Sequence, residues 1–235
     1  MPRYARDVDP ASAFDDAGYR SAVVDLLGVL AYGELMASQR LAADAALAPD
    51  IDDQVELSTM AAAEFRHFVR LRDRLVELGV DPAEAMEPFR DALERFHEMT
   101  APSDWLEGLV KAYVGDGIGI DFYREIATSL DPQTRELVLD VCEDLGQSQF
   151  VVDRVRAAIA ADPRIEGRLA LWARRLVGEA LSQAQHVAAE RDALTSLLIG
   201  EVGAGDGMDL TAVGAMLTRL TDAHSKRMQT LGLSS

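Results

Sequence analysis

The sequence predicts an all-α chain. Its centre is a bundle of four long helices, paired as two antiparallel hairpins joined by a long crossover, with additional helices toward the C-terminus. Three observations predict this. Nearly every long segment carries apolar residues at helical period, and none shows strand alternation. Asp-Pro pairs recur at 81–82, 131–132 and 162–163; an N-capping carboxylate followed by proline marks a helix start or a break. Four long helices each place one carboxylate in the middle of an otherwise apolar face.

The chain has 235 residues, 49% of them hydrophobic, which is enough for one large domain with a sizeable core. Forty acidic residues against 23 basic ones give a net charge of −17. That balance disfavours sequence-blind adhesion to nucleic acid or anionic lipid. Cys142 is the single cysteine, so no internal disulfide forms, which fits a reducing compartment. The N-terminal MPRYARDVDPASAFDDAGY lacks the apolar core of a signal peptide. No stretch approaches 18 uncharged apolar residues, so no membrane span is expected and a cytoplasmic placement is the simplest.

In chain order, residues 1–17 read as a loose tail. A first helix runs from about 18 to 47 and ends at the breaker APDIDD. A second, from about 54 to 78, stops at Gly79. A shorter helical piece follows over 83–98, split or kinked by Pro88. The segment TAPSD (100–104) opens a third long helix to about 129, and Asp131-Pro132 opens a fourth to about 161. A fifth covers about 166–198. The run GEVGAGDGMD (200–209) reads as an acidic loop; it lacks Lys-Ser/Thr and follows a helix, so it is no phosphate cradle. The last helix, 210–231, shows an apolar face of Leu210, Val213, Leu217 and Leu220, which packs within the chain or forms a homodimer. The expected division is a tail (1–17), a helical domain (18–198), and a loop with a terminal helix (199–235) packed on that domain.

The polar residues in the seams carry the functional reading. On the second helix, positions 57, 60, 64, 67, 71, 75 and 78 step by three or four, and only Glu64 and His67 are not apolar. On the first helix, Glu34 is the one charge among Leu27, Leu30, Ala31, Ala37 and Leu41. The third helix sets Asp116 between Leu109, Ala112 or Tyr113, Gly119 or Ile120, Tyr123 and Ile126. The fourth sets Asp144 and Gln147 (or Ser148) between Leu137, Val141, Val151 and Val155. A buried carboxylate costs several kcal/mol unless hydrogen bonds, a charge or a metal compensate it. Any one of these alone reads as a rim or hydrogen-bonded residue; four together point to a shared ion. Glu34 and Glu64 stand 30 residues apart, and Asp116 and Asp144 stand 28 apart, both fitting a helical hairpin. His67 and Asp116 are 49 apart, which leaves room for a crossover.

Glu34, EFRH at 64–67, Asp116 within VGDGIGIDFY, and DLGQ at 144–147 together resemble the ferritin-like di-iron carboxylate proteins. The branch most similar is that of the tRNA hydroxylase acting on 2-methylthio-isopentenyl-adenosine. The resemblance covers about residues 20–160. It implies a ferritin-like four-helix bundle, two non-haem irons held by Glu34, Glu64, His67, Asp116, Asp144 and Gln147, and molecular oxygen as co-substrate. A modified tRNA as partner follows from the same resemblance and runs against the net charge. The chain departs from the family pattern at two places: Asp116 stands for Glu, and Asp144-x-x-Gln147 stands for Glu-x-x-His. Two irons, one metal on the Glu34–Glu64–His67 side, or none therefore stay open. So do the alternatives of a metal-poor partner-binding bundle and of iron oxidation or storage.

Around these positions, Tyr113 and Tyr123 flank Asp116 as core residues or hydrogen-bonding partners of the site, and Glu179, Gln183 and His186 on the fifth helix either support the ligands or line a boundary or another protomer's surface. Gly115, Gly117 and Gly119 suggest close helix packing or a bulge, since each costs roughly 0.8–1 kcal/mol against alanine. Arg66, Arg70 and Arg74 form a ridge whose plain reading is a salt-paired face. His97, His224 and Cys142 read as structural.

Overall fold

The computed structural model describes residues 14–142, 147–199 and 210–234, without the side chains of 147, 148, 198, 199 and 210–213. Most of the expected tail, the loop at 200–209 and Asp144 lie outside the described residues, as does the side chain of Gln147.

Helix α1 (Ala17–Ala45) begins where the Asp16 carboxylate accepts from the Gly18 and Tyr19 amides, at 2.7 and 3.2 Å. Helix α2 (Ile51–Glu77) starts three residues earlier than the sequence pattern suggests, because Asp50 caps it by accepting from the Asp53 amide at 2.9 Å. The two run antiparallel: Arg20 near the start of α1 donates to the Leu78 carbonyl just beyond α2, and Ser38 donates to the Ala61 carbonyl. The crossover is itself helical. It holds α3 (Pro82–Met86), a 3₁₀ turn at Glu87–Phe89 that takes up Pro88, and α4 (Arg90–Met99). It lies along α1, where Gly28 faces the Ala85 carbonyl and the Tyr32 hydroxyl donates to Glu94 at 3.1 Å. An added Cβ at Gly28 would stand 2.2 Å from that backbone oxygen, so only glycine allows the approach.

Helix α5 (Trp105–Ala127) is capped by Asp104, which accepts from the Glu107 amide at 2.9 Å. It is an unbroken α-helix through the glycine run, so no bulge forms there. The fourth long helix divides: α6 (Pro132–Val141) ends at Cys142, and α7 (Gln147–Ala161) follows. The fifth also divides, into α8 (Glu166–Glu190) and α9 (Asp192–Ile199), with Arg191 in a non-helical conformation between them. The last helix is α10 (Leu210–Leu231). The α1–α2 hairpin packs on the hairpin of α5 with α6 and α7; α8 covers α4 and α5, α9 lies on α1, and α10 lies on α5 and α7. The buried face of α10 is Met216, His224, Met228 and Leu231, while Leu217 of the other apolar face is 45% exposed.

Helix α1 is apolar over much of its length. It is long and apolar enough to cross a membrane. Its apolar character has another cause here: α2, the crossover and α9 bury most of its circumference, and a helix covered on several sides reads as hydrophobic all round.

The core has two parts. One gathers Leu26, Leu27 and Leu30 of α1 with Leu71 and Leu75 of α2 and Ile126 of α5. The other gathers Leu41, Leu57, Met60, Leu109 and Val110 with Leu169 and Leu176 of α8. Burying each such side chain fully contributes about 1.5–3 kcal/mol. Along α1, α2 and α5 the two parts are separated by one stretch each, and those stretches hold Glu34, Glu64 with His67, and Asp116.

Candidate metal centre

Glu34, Glu64 and His67 offer two carboxylate oxygens and one imidazole nitrogen, all within 4.8 Å of one another. His67 and Glu64 meet because residues three apart share a helix face. Glu34 reaches them across the antiparallel α1–α2 contact. The His67 Nδ1 stands 3.4 Å from the Glu34 Oε2 and 3.4 Å from the Glu64 Oε2. Both the Glu34 Oε2 and the His67 Nδ1 are buried without a hydrogen-bond partner among the described residues. That is the state of donors that a cation completes.

The electrostatics agree. Burial first, and then the adjoining Glu64 carboxylate, push the Glu34 carboxyl well above the carboxylate range. Burial also pushes on Glu64, but contacts with the Glu34 proton and with His67 outweigh it, so Glu64 is the charged member of the pair. Contacts with Glu34 and Glu64 raise His67 to about 9. The cluster thus retains protons that a metal ion would displace.

Asp116 stands apart from this trio and lines the same cavity. Burial, then the charge on Glu64, raise its carboxyl well above the usual range, with Lys111 opposing. Its partial surface exposure is exposure toward the cavity, which explains how it is both accessible and desolvated. Tyr113 and Tyr123 line the cavity, and burial and then Glu34 raise the Tyr123 phenol. Cys142 also lines it; its thiol is pushed up to about 12, mainly by burial, so it is an inert thiol at neutral pH.

Glu179, Gln183 and His186 are not among the residues lining the cavity. His186 is exposed, and its ring pairs with the Ser182 carbonyl on its own helix. The face of α8 that carries Trp172 and Leu176 packs on α4 and α5. On the arginine ridge, Arg70 pairs with Asp140 at 2.8 Å and Arg74 with Glu77 at 3.0 Å, as a salt-paired face requires.

The cavity measures about 380 Å³. Residues that the seam pattern did not single out complete its wall: Arg40 and Asp44 of α1, Phe96 and His97 of α4, Lys111 of α5 and Arg227 of α10. One signal was available. The chain has only two lysines, and Lys111 sits in the apolar run LVKAYV. Gly117 makes room for Arg227, whose Nε would stand 2.2 Å from an added Cβ, and Arg227 pairs with Asp121. Gly115 and Gly119 make only ordinary contacts.

A family model described as a ferritin-like domain of actinomycetes matches residues 17–201. No curated protein matches the chain. Among solved structures, a protein of Synechococcus described as having aldehyde deformylating oxidase activity superposes with a TM-score of 0.71. The two share 18% identity over 94% of each chain, a likeness of fold.

Proposed function

The chain belongs to the ferritin-like domain family of actinomycetes, and from that premise we propose that it is an oxidoreductase that uses non-haem iron and molecular oxygen on a small organic substrate. The observation that carries the reading is the convergence of Glu34, Glu64 and His67 within 4.8 Å at the wall of a cavity of about 380 Å³. An oxidase activity in a protein of the same fold supports it. The donor set fits one ion among the described residues. A second ion would draw on Asp116 across the cavity, with Asp144 and Gln147 as its remaining candidates.

Bound iron supplies the electron-transfer chemistry with oxygen that side chains lack. The protein's part is to hold and shield. Glu64 and Glu34 supply negative charge once their proton leaves, and His67 supplies a neutral nitrogen after deprotonation. Tyr113, Tyr123 and Leu30 form a largely apolar wall that limits water beside the reacting centre. In a hydroxylation, one oxygen atom enters a C–H bond of the substrate. The other leaves as water, with two electrons and two protons from a reductant outside this chain.

The finer version of the reading is hydroxylation of a prenyl-modified adenosine in tRNA. It draws on sequence resemblance alone. The net charge of −17 favours a small free substrate over a polyanion.

The test is direct. Ferrous iron is added to the full chain without oxygen, bound metal is counted, and oxygen is then admitted while the near-ultraviolet absorption of an oxo-bridged ferric pair is followed. About two irons per chain with that band support a di-iron oxidoreductase. One iron without the band limits the centre to Glu34, Glu64 and His67. Failure to bind metal overturns the reading in favour of a partner-binding bundle.

A further inference from the structure

The cavity has two unlike ends. Ten residues of α1 separate Glu34 from Asp44, about 15 Å at 1.5 Å per residue. Because α1 and α5 run antiparallel, Tyr123 lies level with Glu34, while Lys111 and Gly108 lie level with Asp44. At the first end are Glu34, Glu64 and His67, and Asp116 lies between them and Lys111. The span between is largely apolar, with Ala37, Leu41, Met60 and Ala112. At the far end stand Lys111, Arg40, His97 and Asp44.

That far end is built and carries positive charge. Lys111 is only 7% exposed, yet it is a lysine, among the residue types least often buried unless paired. Its ammonium donates to the Thr100 carbonyl at 2.8 Å and lies over the Phe96 ring at 5.4 Å, which leaves donor capacity toward the cavity. Arg40 is exposed at the rim and forms no ion pair among the described residues. His97 makes no hydrogen bond among the described residues, and its Nδ1 is buried without a partner. Asp44 lies at this end, and Asp116 further along α5 also acts on Lys111. Two cationic side chains and a neutral imidazole thus stand with two carboxyls whose charged forms burial disfavours, inside a strongly acidic protein.

We infer that the Lys111–Arg40–His97 end binds the anionic head of the substrate, and that the substrate is an amphipathic monocarboxylate whose apolar chain runs along the cavity toward Glu34, Glu64 and His67. This deepens the functional reading above by naming the substrate class for the same cavity. The arrangement sets the acid group at the end remote from the metal donors, where like charge from Glu64 would repel it. It also fixes which carbon meets the reacting centre: one near the far terminus of the chain, set by length.

The probe is octanoate, titrated calorimetrically into the full-length chain, both metal-free and at measured metal content, with 1-octanol as the uncharged partner. Octanoate is expected to bind at least tenfold more tightly than octanol. Arg40→Gln and Lys111→Met are each expected to weaken octanoate about tenfold and to leave octanol unchanged, whereas His67→Ala changes octanoate binding less than twofold. Arg40 is exposed, so its variant keeps the test valid if Lys111→Met fails to fold. Equal binding of acid and alcohol, absence of binding across the six- to twelve-carbon acids, or loss of octanoate binding in His67→Ala alone would each overturn the assignment. Because His67→Ala and metal-free protein are part of the series, a failure of the iron reading leaves this outcome separately readable.

Discussion

Arg191 grips the Asp25 carboxylate with two nitrogens, the Nε at 3.1 Å, and so ties the joint between α8 and α9 to the middle of α1, 166 residues earlier. Asp25 is 4% exposed, so its charge has little water to turn to. Asp25→Ala would strand the guanidinium and open a gap in the core. Breaking a buried pair costs about 3–5 kcal/mol, and the partial exposure of Arg191 favours the lower end. The melting temperature is expected to fall by about 6–12 °C, at roughly 2–4 °C per kcal/mol for a chain of this size. A double-mutant cycle with Arg191→Ala should recover most of the loss as coupling.

Glycines two residues apart on α5 should respond oppositely. Gly115→Ala meets only the Lys111 stem at 4.0 Å and should gain up to about 1 kcal/mol of helix propensity. Gly117→Ala must drive Arg227 from its place and from Asp121, so urea unfolding should show a loss. In an Arg227→Ala background the same change should become stabilising, as Gly115→Ala is.

His97 predicts a limb of acid sensitivity. Burial first, then the charges of Lys111 and Arg40, lower its pKa to about 3 from 6.5. The unfolded chain therefore takes up a proton that the folded chain refuses. The stability that depends on a neutral His97 is present above pH 6.5 and is lost as pH falls from there toward 3. Urea midpoints measured over that window should slope less in His97→Gln than in the parent.

Metal uptake should release protons. At pH 7 the metal-free cluster keeps a proton on His67, whose pKa is about 9, and burial with the Glu64 carboxylate raises the neighbouring Glu34 carboxyl. Binding one divalent ion should expel at least one proton, that of His67, and the affinity should rise with pH through neutrality. Calorimetry in buffers of different ionisation enthalpy reads the number directly. A value near zero would mean that the ion binds elsewhere. Glu64→Ala should abolish both the uptake and the release.

Much of this molecule was legible in its sequence because burial and period are written together. The seam of α2 names Glu64 and His67 by their interruption of Leu57, Met60, Leu71 and Leu75, and the same logic finds Glu34 and Asp116. The helix starts at Asp81, Asp104 and Asp131 follow from capping chemistry that is local in sequence. What escaped depends on partners far along the chain. Asp25 and Asp53 look like ordinary surface acids until Arg191 and Arg154 arrive from other helices. The breaks at Cys142 and Arg191 fall within continuous helical periodicity, so pattern alone runs through them. Lys111 and His97 belong to the cavity's distant end, which no single-helix face describes.

Leu93, Phe96 and His97 contribute to the cavity wall from α4, a connecting segment that carries none of the candidate metal donors. Size and polarity of the chamber can therefore be retuned by substitutions in this strap while the ion-holding rods stay untouched. Descendants of one ancestor could diverge in what they accept without renegotiating their inorganic chemistry, and an engineer wishing to admit a bulkier guest would begin there.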